Sequence, residues 1–321
     1  MHFSNFKALQ DRIQKLNQNG DYAAALDLAT SQAGSFPEQL PLLGYYQIAM
    51  AALTGKPQQA IASFRTLLDS GFWYNEALLR KSASLSSLQR LPEFEALVER
   101  NQQNQAEDQS HLFPMLILRS QGGCQAGDPP CPLLLGLHAN ASTAQASLDF
   151  WRAAAVTGWL VAALQSSQPL WKDAYVWDDH EFAEQEIKKH MVSLNRQYAI
   201  DPGQVVLAGH DRGGEIAIEL CLKDAIPARG FIAIAPAGSS IEEPESWATL
   251  LQERQKKDLC GYIIIGKEDD LIPRAGIRSL VKMLEKAGIP CKLEEVPNAG
   301  HTFIPEYTSS LFRAFEYIQQ E

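Results

Sequence analysis

The first third of the chain sets its apolar residues three and four apart, with few β-branched runs and much Ala, Leu and Gln, which predicts helices from residue 1 to about 105. Beyond residue 112 the pattern changes. Short apolar runs, MLILR (115–119), PLLLGLH (132–138), WLVAAL (159–164), QVVLAG (204–209), FIAIAP (231–236), GYIIIG (261–266) and CKLEEV (291–296), alternate with amphipathic stretches. Those stretches, near 143–156, 179–199, 214–224, 245–257, 276–288 and 305–320, have helical spacing. A strand-helix-strand rhythm of this kind predicts a mostly parallel sheet covered on both faces. Between the two patterns, NQQNQAEDQSH (101–111) is polar and lacks apolar periodicity, so it is the expected linker. At 321 residues the chain exceeds what one core usually accommodates, and two domains are expected, 1–106 and 107–321. The turn-rich GGCQAGDPPCP (122–132) fits an antiparallel hairpin at the start of the sheet.

The helical third also repeats. NGDYAAAL (19–26), TGKPQQAI (54–61) and QRLPEFEAL (89–97) recur at a period of 35, each opening a helix after a turn. This resembles a tetratricopeptide array, whose unit is a helix pair of about 34 residues. Gly20, Tyr22, Gly55 and Ala60 fit that pattern, while the third copy has Leu91 where a glycine is usual. The resemblance implies either a concave surface for a protein or peptide partner or a helical prop for the second domain.

A formal net charge of -10 argues against a nucleic-acid partner, since phosphate binding relies on clustered Lys and Arg. No run approaches the length of a membrane span, and MHFSNFKALQDRIQKL lacks a signal-type apolar core, so a cytoplasmic location is expected. Five cysteines make an odd, sparse set, three of them in or beside apolar strand or helix segments, as buried thiols often are. Cys124 and Cys131 could pair across their loop, but free thiols are the expectation in a reducing compartment. No Cys/His spacing matches a zinc site, and no cofactor is expected.

Reactive groups in such a sheet collect at the carboxyl ends of the strands. After QVVLAG comes His210-Asp211-Arg212-Gly213-Gly214, the outline of a G-x-S-x-G elbow with aspartate in the central place. After GYIIIG comes Lys267-Glu268-Asp269-Asp270, and after CKLEEV comes Asn298-Ala299-Gly300-His301. Nucleophile, acid and histidine in that order, each behind a strand, resemble the α/β-hydrolase superfamily over residues 112–321. The flanks LHAN, YAIDPGQVVLAG, IPARGFIAIAP and GKEDDLIP are similar to its phospholipase/carboxylesterase and dienelactone-hydrolase branch. The resemblance implies an α/β-hydrolase fold and a catalytic set of Asp211, Asp269 and His301, with Glu268 and Asp270 as alternative partners of the histidine. It implies an oxyanion hole from the N–H groups of Arg212 and of Ala139 or Asn140. His138, His210, Trp171 and Trp177 are the candidates to line a pocket for a small-molecule substrate, the two tryptophans from a loop before a helix.

In the esterase branch the central elbow residue is serine. GHDRGG is closer to the elbow of haloacid and haloalkane dehalogenases and epoxide hydrolases, where an aspartate attacks carbon. Residues 237–260 are too short for the cap those relatives insert, and Glu215 stands where fluoroacetate-type dehalogenases have a second arginine. Three readings follow: a hydrolase of esterase-like lineage using an Asp-His-Asp set, an Asp-nucleophile dehalogenase or epoxide hydrolase, and a silent binding or scaffold protein. In the last, Asp211 only caps the 214–224 helix and holds His301 in an ion pair, with no turnover.

Overall fold

A computed structural model describes residues 3, 5–119, 123–125, 127–253, 258–301 and 307–320. The chain forms two compact units: Met1–Leu112 with Pro169–Lys172, and Phe113–Gln168 with Asp173–Glu321.

The first unit is helical: α1 (Phe6–Gln18), α2 (Tyr22–Gln32), α3 (Leu40–Leu53), α4 (Pro57–Asp69), α5 (Glu76–Lys81) and α6 (Pro92–Gln109). The three repeated segments open α2, α4 and α6. Proline begins α4 and α6, where its missing N–H costs nothing. Along the chain α1 packs on α2, α2 on α3, α3 on α4 and α4 on α6, burying Leu9, Ile13, Leu26, Ile48, Phe64 and Phe94 in one core. Each helix thus finds its apolar partner in a near neighbour, the economy of a stacked array.

The expected linker is not a linker. Helix α6 continues to Gln109, because polar spacing hides one buried contact: Asn101, wholly buried, accepts from the Tyr74 N–H at 2.8 Å and donates to the Tyr74 carbonyl at 2.8 Å. An amide that completes both main-chain bonds of an irregular segment is worth more than its polarity suggests.

The second unit carries β1 (Met115–Leu118), β2 (Cys131–Leu137), α7 (Ala144–Val156), β3 (Leu160–Leu164), β4 (Gln168–Trp171), β5 (Ala174–Val176), α8 (His180–Gln197), β6 (Ile200–His210), α9 (Arg212–Leu222), β7 (Gly230–Ile234), α10 (Ser239–Glu242), α11 (Ala248–Glu253), β8 (Cys260–Gly266), α12 (Arg274–Lys286), β9 (Cys291–Val296) and α13 (Tyr307–Gln320). Seven strands form one sheet in the order β1-β3-β2-β6-β7-β8-β9. Only β1 runs antiparallel. Strands β3, β7 and β8 are buried at every position, which is why their sequences read as continuous apolar runs rather than alternations.

Four expectations are corrected here. The antiparallel partner of β1 is β3, not β2, so residues 122–132 are no hairpin; Gly122 and Ala126 lie outside the described residues. The stretch PLWKDAYV holds β4 and β5, which lie outside the large sheet, instead of a loop. The helix expected over 245–257 is divided into α10, a 3-10 turn at Pro244–Trp247 and α11, with 254–257 outside the described residues, as are 305–306 of the last expected helix. Finally, Cys124 and Cys131 are joined by a disulfide. Both are tied to Ala199, whose N–H donates to the Cys124 carbonyl at 3.1 Å and whose carbonyl accepts from the Cys131 N–H at 2.9 Å. That shared anchor sets their Cα atoms 5.5 Å apart, within disulfide reach. Cys221, Cys260 and Cys291 are buried thiols that form no disulfide.

Right-handed crossovers fix which face each helix takes. From β2 the chain moves outward to β3 on one side, and from β6 it moves outward to β7 on the other. The direction of winding therefore reverses between β2 and β6, whose carboxyl ends form the natural crevice of the sheet.

Two outcomes are expected. Replacing Asn101 with Ala orphans two buried main-chain groups and should cost about 2–5 kcal/mol in urea unfolding, while Gln102→Ala should stay within about 0.5 kcal/mol. Alkylation of the denatured, unreduced chain should modify three cysteines, and five after reduction.

Candidate active site

The elbow is built by close approach of backbone. A Cβ at Gly209 would sit 2.1 Å from the Gly213 carbonyl carbon, so β6 can turn into α9 only with glycine there. The turn forces Asp211 to φ 54° and ψ -124°, a strained conformation for a side-chain-bearing residue. It also points the carboxylate away from its own helix. Asp211 makes no side-chain cap to α9, so the reading of Asp211 as a simple N-cap is overturned.

The carboxylate instead faces the crevice. Oδ2 accepts from the Asn140 N–H at 3.0 Å, in the loop that follows β2, and Oδ1 lies 3.5 Å from Nε2 of His301. The N–H expected from Asn140 for an oxyanion hole is thus aimed at one oxygen of Asp211, leaving the other toward the imidazole.

His301 arrives through a second close approach. A Cβ on Gly266 would meet the Ala299 carbonyl oxygen at 2.1 Å, so the end of β8 lies directly against the loop after β9. Main-chain bonds from Glu268 N to Ala299 O (2.9 Å) and from Lys267 N to Val296 O (2.8 Å) stitch the two loops together. On that seam His301 Nδ1 donates to Asp269 Oδ2 at 3.0 Å. Asp269 is buried, and its Oδ1 accepts from the N–H groups of Leu271 (2.9 Å) and Ile272 (3.2 Å). The alternatives Glu268 and Asp270 are exposed, which assigns the orienting place to Asp269.

Electrostatics follow from this sandwich. Burial draws the His301 pKa down, but its hydrogen bond to Asp211 and the charges of Asp211 and Asp269 outweigh that and leave it raised. Burial works to raise the Asp211 pKa, yet His301 and the Asn140 N–H prevail and hold it below the usual carboxylate range. Both shifts favour the charged forms, a carboxylate facing an imidazolium.

The remaining sequence candidates separate. His138 is wholly buried: its Nδ1–H donates to the Ala139 carbonyl at 2.7 Å, its Nε2 accepts from Ser166 N at 3.2 Å, and burial pushes its pKa down to about 4. Trp177 is also wholly buried, stacked on His138 at 4.8 Å with its indole N–H on the His138 carbonyl at 3.0 Å. These two brace the loop that presents Asn140; they do not line a pocket. Trp171 belongs to the helical unit, where it bridges Tyr74. His210 is 7% exposed and is turned inward.

Sequence reasoning missed what holds Arg212. Its guanidinium pairs with Glu215 at 2.6 Å, and Glu215, fully buried, also accepts from Ser240 N at 2.8 Å. His180 joins from α8, with Nδ1 2.6 Å from Glu219 and Nε2 4.0 Å from Glu215. The i,i+3 spacing of Arg212 and Glu215 on a helix was the available signal.

Gly209→Ala should destabilise the fold by about 3 kcal/mol or more, read by denaturant midpoint. Because the pKa of His301 is raised on folding, its protonation stabilises the native state. That contribution is fully present below the ordinary value of about 6.5 and disappears as pH rises through the raised one. The stability difference between the wild-type chain and His301→Gln should accordingly be larger at pH 5.5 than at pH 9.

Comparison with known proteins gives the family and the fold. Residues 5–109 match the family model described as the A/B hydrolase-like N-terminal domain, and residues 155–318 match that described as Phospholipase/Carboxylesterase. No curated protein matches the chain. Among solved structures, an uncharacterised protein from Bacillus cereus is similar, with 21% identity and a TM-score of 0.55 over 98% of this chain and 99% of that one. Esterase PE8 is similar at 19% identity and a TM-score of 0.50, over 64% of this chain and 97% of its own. At such identity these likenesses show the fold alone. The order of strands, the elbow at the winding reversal and the family match over more than half of its residues place this chain in the phospholipase/carboxylesterase family of α/β hydrolases.

Proposed function

We propose that the chain hydrolyses a small organic substrate with Asp211, His301 and Asp269, in a variant of the esterase site where a carboxylate replaces the serine. The observation that carries this reading is an imidazole flanked by two carboxylates, its Nδ1 bonded to Asp269 at 3.0 Å and its Nε2 3.5 Å from Asp211, at the rim where the sheet reverses. Serine chemistry needs a neutral histidine to take the hydroxyl proton. Here the surroundings favour the protonated histidine and the anionic form of Asp211, so a first attack by the carboxylate needs no base.

The geometry favours attack of Asp211 Oδ1 on an sp3 carbon bearing a halide or a strained oxygen. One C–O bond forms, the carbon–leaving-group bond breaks, and Asp211 becomes a neutral ester. A departing alkoxide takes its proton from imidazolium His301. Loss of the Asp211 charge also lowers the His301 pKa, which leaves His301 neutral and able to draw a proton from water. That water attacks the ester carbonyl, whose oxygen, Oδ2, already receives the Asn140 N–H; the Arg212 N–H is the expected second donor. Collapse releases the alcohol and restores the carboxylate. Attack on an ordinary ester would produce a mixed anhydride, so epoxides and activated halides fit better than plain esters.

A second reading, a silent binding protein, draws on the same resting ion pair, which withholds a base from ordinary ester hydrolysis. In that case the helical unit, whose stacking favours a tetratricopeptide-like array, would engage a protein partner. Among the described residues no helix is long and apolar enough to cross a membrane. The disulfide favours an oxidising setting over the cytoplasm.

Asp211→Asn is expected to abolish turnover of an epoxide and haloalkane panel by about a thousandfold or more while retaining the fold. Asp211→Ser should gain hydrolysis of short acyl esters. A wild-type chain inert toward the whole panel would overturn the hydrolase in favour of the binding protein.

A further inference from the structure

We infer that His210 is a positioning residue for His301: it grips the main-chain carbonyl and the ring of that histidine and so holds the imidazole toward Asp211. The inference deepens the proposed function, and its effect on rate rests on that reading; its geometry does not.

His210 Nε2 lies 2.9 Å from the His301 carbonyl oxygen. A carbonyl only accepts, so Nε2 carries the hydrogen and donates. The two rings are tilted at 36° with centroids 5.6 Å apart, and Phe150 also packs edge-on against His210 at 5.9 Å. With Nε2 committed and 7% of its surface exposed, His210 has no face left for substrate. Its Nδ1 is buried and lacks a hydrogen-bond partner among the described residues, so the ring is held as the neutral tautomer with a bare lone pair. A proton there would place a second buried cation beside His301. Burial accordingly draws the pKa of His210 down, while its neighbour's is raised.

The grip completes a series. Three successive carbonyls of the last loop each receive one donor: Ala299 from the Glu268 N–H at 2.9 Å, Gly300 from the Tyr307 hydroxyl at 3.2 Å, and His301 from His210 at 2.9 Å. The first donor comes from the loop of Asp269 and the third from the residue bonded to Asp211. Each acid that faces the imidazole is therefore tied, through its own segment, to the backbone that carries the imidazole. Without the third tie the Asp269 side stays fastened and the Asp211 side does not, so the 3.5 Å separation is the distance that lengthens.

The test follows the titration of His301 by NMR in the full chain with labelled histidine, its signal identified by loss in His301→Gln. The charged and titratable groups that set this titration are Asp211, Asp269 and His210, with Tyr307 beyond Asp269. In His210→Phe, which fills the volume without a donor, the His301 pKa is expected to fall toward the ordinary value of about 6.5. His210→Asn, polar but too short to reach the carbonyl, should behave the same way and serves if the Phe variant does not fold. His210→Gln restores a donor at the right reach and should keep the wild-type titration. With an active substrate, kcat should fall about tenfold to a hundredfold in the Phe and Asn variants at nearly constant KM, and recover in Gln.

An unchanged His301 titration in folded His210→Phe or His210→Asn overturns the inference, as does a Gln variant that falls with the others. If the titrations move as expected but the wild-type chain turns over nothing, the positioning stands and the hydrolase reading fails. If the wild-type chain turns over substrate but the titrations do not move, the hydrolase reading stands and the positioning role fails.

Discussion

One imidazole lodged between two carboxylates governs the crevice of the hydrolase unit. A carboxylate buried to this degree is tolerated only with an opposite charge or several N–H donors at hand. Asp269 has three donors, two of them main-chain, and is thereby fixed. Asp211 has one main-chain donor and the more distant His301. The site is therefore asymmetric: one acid is a clamp, and the other keeps an oxygen toward open chemistry. Under the proposed function, aspartate in the place of serine carries its negative charge before the reaction begins, and that is what would favour carbon electrophiles over plain esters.

The scaffold supplies this arrangement through contacts that tolerate no side chain. At Gly209 the strand and the following helix touch backbone to backbone, and at Gly266 the end of β8 touches the last loop in the same manner. The first forces Asp211 out of the conformation in which it would cap its helix; the second carries His301 onto Asp269. Both lie at carboxyl ends of parallel strands, and Asn140 and Asp211 follow the two strands between which the winding reverses. Behind the elbow, Arg212, Glu215, Glu219 and His180 form a charged cluster in which each buried acid has a basic neighbour.

Much of this was legible in the residues. Apolar runs bounded by turn residues marked all seven strands of the large sheet, most plainly β3, β7 and β8, which are buried at every position. The three turns of the helical unit were equally plain. What escaped were features decided by contacts far apart in sequence. Asn101 looks like linker, and only its bonds to Tyr74 show that it belongs in a core. The partner of β1 depends on a crossover that no local pattern encodes. Cys124 and Cys131 are brought together by Ala199, which lies far along the chain from both. In the site, order and spacing indicated Asp211, Asp269 and His301, and the structure brings these three together. The same reasoning could not tell a histidine that faces a pocket from one that supports it. His138 and His210 flank strand ends as pocket residues do, yet both turn inward, one to a carbonyl of its own loop and the other to the carbonyl of His301.

The central claim, that Asp211 is itself the attacking group, has a direct measurement. A single turnover of an epoxide or activated halide in heavy-oxygen water, followed by peptide mass analysis, should leave one heavy oxygen in the side chain of Asp211, since water cleaves the ester at the acyl carbon. A product that carries the heavy oxygen while Asp211 stays unlabelled would mean that water attacked the substrate directly, and the carboxylate would then be no nucleophile.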